Sequence, residues 1–327
     1  MLDPVVTVII PAFQSGRFIE TAVASVVAQS MHSWECIVVD DGSTDDTAGR
    51  VRAAAAQEPR IRLLSQDNRG LPAARNAGLR AARGEFIQFL DADDRIAHTK
   101  LARQLALLVA DPSLDLVHGE ARYFDDEHPE RLRRTIGPAD RVGLPAISGR
   151  GEPLVARLLR GNIMVVEAPL VRRRLLDAVG AFDEGQRYLE DWDLWLRCAL
   201  AGAAFLFDPG EAGHSFVRVH ASSMSADRRE MLRAEFELRR RVGARLSNPA
   251  LSEVNALRMA SAETTLLVLD APSGRLRDEV ARMARAALRW RRLRWWLWVL
   301  ALPLLRVRPG RAVIDKVWRS TRAKRMA

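Results

Sequence analysis

The chain has 327 residues, 48% of them hydrophobic and 28% charged, enough for one large α/β domain and a smaller appendage. Its two cysteines, Cys36 and Cys198, both in apolar surroundings, exclude a disulfide framework or a cysteine-based metal centre and agree with a reducing compartment. The net charge of +9 is divided: residues 1–227 are acidic by six charges and 228–327 basic by fifteen, so only the second stretch suits an anionic partner.

Met1-Leu-Asp-Pro leads straight into a strand, with no basic stretch followed by an apolar one, so no signal peptide is expected. No run reaches the roughly 18 apolar residues of a spanning helix, and a cytoplasmic location follows as the expectation. The β-branched run 5–10 (VVTVII) ends at Pro11 and reads as a buried parallel strand. Residues 17–29 carry Phe18, Ile19, Ala22, Val23, Val26 and Val27 at helical spacing. A second strand, 36–39, stops at Asp40-Asp41-Gly42-Ser43, and a helix over 44–56 starts in the Ser, Thr and Asp that caps require. A third strand, 61–64, is followed by the turn Asn68-Arg69-Gly70 and a helix over 72–83, which Gly84 closes as a C-cap. The fourth strand, 86–90, ends at Asp91-Ala92-Asp93-Asp94.

Strands alternating with helices predict a mostly parallel sheet covered on both faces, a Rossmann-like α/β fold. Ligands of such sheets lie beyond the carboxyl ends of the strands, which brings the loops 11–15, 40–43 and 91–94 to one place. After a helix over 101–109 the pattern loosens into a strand at 115–118, a polar loop over 123–150 and short helices over 154–160 and 172–179. A longer helix covers 189–201 and a strand 204–207. From Arg228 the chain reads as helical and basic to its end, broken near Pro249, 272–274 and 309–310.

Asp91 and Asp93, two apart in an extended segment, can address one ligand, and hard cations such as Mg²⁺ or Mn²⁺ take carboxylates together with substrate phosphates. The alternative is an acidic turn whose Asp93 or Asp94 caps the next helix. Asp40-Asp41 carries the same ambiguity, between a cap and an acceptor for a base N–H or a ribose hydroxyl. Glu190-Asp191 opens a helix with an apolar stripe at Trp192, Trp195, Leu196 and Ala199. Carboxylates in a first turn can simply oppose the helix dipole.

The ordered segments Val8-Ile-Ile-Pro-Ala-Phe, Val38-Val-Asp-Asp-Gly-Ser-Thr-Asp, Ala73-Ala-Arg-Asn-Ala-Gly, Leu90-Asp-Ala-Asp-Asp and Leu189-Glu-Asp-Trp-Asp resemble glycosyltransferase family 2. The resemblance covers about residues 5–225 and implies an inverting enzyme of GT-A fold, in polysaccharide or glycolipid synthesis, acting on a saccharide or lipid-linked acceptor. It implies that Pro11, Ala12 and Phe13 line the nucleobase pocket and that Asp41, with Asp40, binds the base of a nucleotide-sugar donor, usually uracil. Arg75 would reach base or diphosphate, Asp91 the ribose, and Asp93 a Mn²⁺ or Mg²⁺ ion. Asp191, with Glu190 beside it, would be the general base. The segment Arg218-Val-His220 resembles the family's closing segment, where His220 meets metal or diphosphate.

The resemblance stops short of the last hundred residues. Residues 289–306 combine clustered arginines, four tryptophans and an apolar core, the composition of a helix lying on a membrane surface. A hairpin packed on protein, or a homodimer contact, is the alternative; no nucleic-acid-reading module is present. The expected organisation is a catalytic domain over 1–227 and a basic helical extension over 228–327. Two other classes compete: a nucleotide-sugar-binding protein without transfer activity, and a nucleotidyltransferase, which would need a Gly-rich basic loop where 11–16 stands.

Overall fold

The computed structural model describes residues 3–135, 143–220 and 227–270. The chain divides into two compact units, 1–226 and 227–327. The first unit opens with β1 (Val6–Ala12), α1 (Ile19–Val27), β2 (Trp34–Asp40), α2 (Thr47–Gln57), β3 (Ile61–Ser65), α3 (Leu71–Ala81) and β4 (Phe86–Phe89). It continues with β5 (Arg95–Ile96), α4 (Lys100–Ala110), β6 (Leu116–His118), β7 (Ala121–Phe124), α5 (Gly151–Leu158) and β8 (Pro169–Arg172). It ends with α6 (Arg173–Val179), α7 (Glu190–Leu200), β9 (Phe205–Phe207) and β10 (Ser215–Arg218).

Seven strands form one sheet in the order β3-β2-β1-β4-β8-β6-β9, and β5-β10-β7 form a second, small one. All seven residues of β1 are buried, as are all seven of β2, so the apolar run at the start of the chain is the centre of the core. Pairing from β1 to β2 and to β4 is parallel, and the chain order changes direction at β1. That switch opens the crevice in which ligands of such sheets lie.

Several elements differ from their sequence expectation. The first strand runs through Pro11 to Ala12. The Ile9 carbonyl accepts from Leu90 N, so Pro11, two residues on, faces the same side, where the β4 ladder has already ended and no N–H is required. The strand β8 is antiparallel to both neighbours and displaces the front of the helix expected from 172. β7 occupies the start of the expected polar loop, and β10 was not foreseen. Gly84 is not a left-handed cap: its amide donates to Thr7 Oγ1 at 2.9 Å, and a Cβ there would stand 2.5 Å from Thr7 N. It is glycine because two backbones touch.

The second unit is described over α8 (Arg228–Gly243) and α9 (Pro249–Asp270). Asp227 caps α8 by accepting from Glu230 N at 3.1 Å, and Asn255 Nδ2 donates to the Arg239 carbonyl at 2.8 Å, joining the two helices. Pro249 stands at the first position of α9, where the missing N–H is harmless. No described helix is long and apolar enough to cross a membrane. The segment 289–306 and the breaks at 272–274 and 309–310 lie outside the described residues.

The Gly84 contact gives a stability test. Gly84→Ala is expected to lower unfolding free energy by ~1–3 kcal/mol through backbone overpacking, read as a lower midpoint in urea with an unchanged slope.

Candidate active site

The β2 end carries two buried carboxylates with inward partners. Asp40 Oδ1 accepts from Ser43 N at 3.1 Å. Asp41 Oδ1 accepts from Gln66 Nε2 at 2.7 Å and Arg69 N at 2.9 Å, and its Oδ2 accepts from Gly70 N at 2.7 Å. Neither caps α2, which begins at Thr47. Asp41 therefore fixes the loop leading into α3. Beside it, Pro11 and Ala12 are buried while Phe13, just past β1, is 50% exposed.

Arg75, expected to reach base or diphosphate, is instead a buried strut. Its Nη1 donates to Glu190 Oε1 at 2.6 Å and its Nη2 to Asp91 Oδ1 at 2.7 Å, with the side chain 1% exposed. Burial opposes its charge, but Asp91 and Glu190 together hold its pKa above the ordinary arginine value. The next residue repeats the connection: Asn76 Nδ2 donates to the Phe182 carbonyl, and Asn76 Oδ1 accepts from Phe182 N, both at 2.9 Å. Arg75 thus ties α3 to the β4 end and to the start of α7, and Asn76 ties it to the loop between α6 and α7.

Residues 91–94 form a tight turn, closed by Asp94 N donating to the Asp91 carbonyl at 3.1 Å, rather than an extended segment. The capping alternative fails because Thr99 precedes α4. Asp93 Oδ2 lies 2.8 Å from His220 Nε2, so the structure unites two residues 127 apart that the sequence pointed to separately. Asp94 Oδ1 accepts from Arg218 N at 2.7 Å, and the Asp93 carbonyl from Arg218 Nε at 2.9 Å. Burial and the Asp91 charge push the Asp93 carboxyl up, and burial with Glu167 does the same to Asp94.

Glu167 is a residue the sequence reading passed over. It is 2% exposed, and Asp91, Asp94 and Glu167 each offer an oxygen within 4.8 Å of the others. Burial and Asp91 push its carboxyl up to about 8. Its only signal in the sequence is one acid in the apolar stretch 163–171. Asp93 and His220 stand against each other with side chains 32% and 20% exposed, and Asp91 is 31% exposed. A carboxylate oxygen and an imidazole nitrogen fit a divalent cation, which would offset the charge that burial penalises.

Glu190 and Asp191 have separate partners. Glu190 binds Arg75, whereas Asp191 is partly exposed, its Oδ1 accepting from Trp192 N and its Oδ2 from Asn162 Nδ2, both at 2.7 Å. The helix N-terminus alone would favour the ionised form, but burial and Glu190 outweigh it and raise the Asp191 carboxyl to about 7. Asn162 stands 29 positions before Asp191, so no local pattern in the sequence links the two. Arg75→Gln should cost ~3–5 kcal/mol by leaving Glu190 buried without its cation, a loss measurable by urea unfolding.

The model of Glycosyl transferase family 2 matches residues 7–176. An uncharacterized glycosyltransferase of Haemophilus influenzae is 29% identical over 226 residues, 69% of this chain and 83% of that protein. The succinoglycan biosynthesis protein ExoO of Rhizobium meliloti is 31% identical over 228 residues, 65% of this chain and 60% of its own length. Among solved structures, S. aureus TarS 1-349 in complex with UDP superposes with a TM-score of 0.60 at 17% identity, covering 85% of this chain and 78% of TarS. The mannosyltransferase PcManGT of Pyrobaculum calidifontis, in complex with GDP-Man and Mn²⁺, gives 0.58 at 21% identity, covering 98% of this chain and 88% of its own. Both likenesses establish the fold, a GT-A fold.

Proposed function

We propose, since the chain belongs to glycosyl transferase family 2 and is a glycosyltransferase, that it inverts the anomeric centre of a nucleotide-sugar in a single displacement on a hydroxyl acceptor. One observation carries this reading: Asp191, a carboxylate titrating near 7, is joined through Glu190 and Arg75 to Asp91 at the β4 end. A general base with a pKa near the working pH is the effective one, and here it is held at a fixed place relative to the acidic turn. Asp191 takes the proton from the acceptor hydroxyl. That oxygen bonds to the anomeric carbon while the bond from the carbon to the diphosphate oxygen breaks, and the diphosphate leaves with the electron pair.

Asp93 and His220 are the residues to hold Mn²⁺ or Mg²⁺. A bound dication supplies charge neutralisation at the leaving diphosphate. Phe13, Pro11 and Ala12 at the β1 end, with Asp40 and Asp41 at the β2 end, frame the base, and Asp91 retains a partly exposed oxygen face for the ribose. UDP in TarS and GDP-Man with Mn²⁺ in PcManGT support a nucleoside diphosphate sugar, and the uridine form is our preference. ExoO supports a polysaccharide or its lipid-linked precursor as acceptor. We assign catalysis to 1–227; the basic charge of 228–327 supports attachment to an anionic membrane surface on the cytoplasmic side.

Two experiments test the reading. Thermal-shift measurements with UDP, GDP and dTDP, with and without Mn²⁺, should show one nucleotide stabilising the protein only when metal is present and Asp93 is intact. Loss of that dependence in Asp93→Ala fixes the metal site, and its persistence there removes Asp93 from it. In transfer assays Asp191→Asn should lose ~10²–10⁴-fold in kcat with donor affinity retained. For the wild type, kcat/KM should rise with pH up to about 7 and then level, because the base works ionised and its pKa in the folded enzyme is raised. A profile flat from pH 5 to 8 rules Asp191 out as that base.

A further inference from the structure

The small sheet lies against the acidic turn, and its strand register explains a spacing in the sequence. In β10, Phe216 pairs with Arg95 of β5 and Arg218 with Phe124 of β7, which sets arginines and phenylalanines side by side. The Arg95 guanidinium carbon lies 4.5 Å from the Phe124 ring centre, and that of Arg218 lies 4.7 Å from the same ring. Arg218 is also 4.9 Å from the centre of the Phe18 ring. The Phe18 ring stacks on His220, with centres 5.3 Å apart and planes at 20°. Cation and ring thus alternate from Arg95 to His220.

Arg218 is also bonded to the backbone it stands beside. Its Nε donates to the Asp93 carbonyl, its N to Asp94 Oδ1, and a guanidinium ion pair to Asp126 completes its partners. Backbone pairing continues past β10 to Val219, whose N donates to the Phe124 carbonyl at 2.8 Å, so Arg218 and His220 leave an extended chain on the same side. One residue therefore touches the Asp93 backbone directly and reaches His220 through Phe18. A histidine ligand is effective only with its ring plane and free nitrogen fixed, and a free imidazole loses rotamer entropy on ordering.

We propose that Arg218 and Phe18 are positioning residues for divalent-cation binding, holding the His220 imidazole in plane and the Asp93 carboxylate in register before the ion arrives. The proposal rests on the reading of Asp93 and His220 as the ion's ligands. Phe18 supports it from a second side: it precedes α1 and is only half-buried, so its ring adds little to the core that the helical spacing had assigned it to.

The test is Mn²⁺ affinity of the full chain, read from the free-ion EPR signal with and without UDP. Wild type, Asp93→Ala and His220→Ala establish the ligands; if wild type holds no Mn²⁺, or both alanine variants bind it as wild type does, the ligand reading fails and takes this proposal with it. With the ligands established, Phe18→Leu and Arg218→Met should each weaken Mn²⁺ binding about tenfold or more, and Phe18→Tyr, which keeps the ring face, should restore it. Phe18→Leu should add nothing in a His220→Ala background, which a general loss of stability would not reproduce. Folded Phe18→Leu protein, checked by circular dichroism, that binds Mn²⁺ with wild-type affinity overturns the proposal; this variant decides alone if Arg218→Met does not fold.

Discussion

A guanidinium that is 1% exposed cannot be left alone, and Arg75 cannot shed its proton to escape the cost of burial. It needs two carboxylates at fixed distances, and the fold supplies one from the end of β4 and one from the first turn of α7. Those carboxylates come from different segments, Asp91 from the acidic turn and Glu190 from the helix that presents Asp191. Buried ion pairs add little net stability, because desolvation takes back most of the attraction. Their effect is on geometry: any slippage of α3 against α7 breaks the Arg75–Glu190 bond. Asn76 adds a second tie, from α3 to the Phe182 backbone in the loop between α6 and α7.

Around that strut the protein crowds acidic groups. Burial, with the charges of neighbouring carboxylates, raises the pKa of Asp93, Asp94, Glu167 and Asp191. The fold offsets only part of this, through Arg75, the Arg218 amide, His220 and Asn162. What is left is a standing preference for added positive charge at Asp93 and for a proton at Asp191. In the function proposed above, the first preference would act at the leaving group and the second at the attacking hydroxyl.

The sequence disclosed what is local. The β-branched runs, the acidic strand ends and the helix periodicity identify the parallel half of the sheet and the loops at its carboxyl edge, because each signal spans a handful of residues. It disclosed less where meaning comes from a partner far along the chain. Glu167 reads as one acid in an apolar stretch until Asp91 and Asp94 stand against it, and Asn162 is anonymous until Asp191 arrives. Phe18 fits a helical stripe by spacing, yet its ring meets His220, and Gly84 resembles a C-cap while its true constraint is the β1 backbone. β8 and β10 escape notice because four-residue strands in mixed surroundings carry too short a pattern to separate from loop.

Backbone strain falls in two of the loops beside these residues. Among the described residues, Gln14 and Leu189 are the non-glycine residues with positive φ, at 51° and 60°. Each follows or precedes an element that ends at the site, β1 for Gln14 and α7 for Leu189. Such conformations cost ~1–3 kcal/mol and persist only where surrounding bonds over-determine them. Gln14 Oε1 accepts from Thr44 N and Asp45 N, clamping the loop after β1 to the loop after β2. Gln186 Nε2 donates to the Tyr188 and Leu189 carbonyls and holds the turn from which Glu190 and Asp191 emerge. A glycine at either position would relieve the strain and lose the constraint. Retaining a side chain there keeps the loop after β1 and the turn before α7 stiff at the expense of stability, which is the arrangement expected of a cleft that must be formed before its ligands arrive.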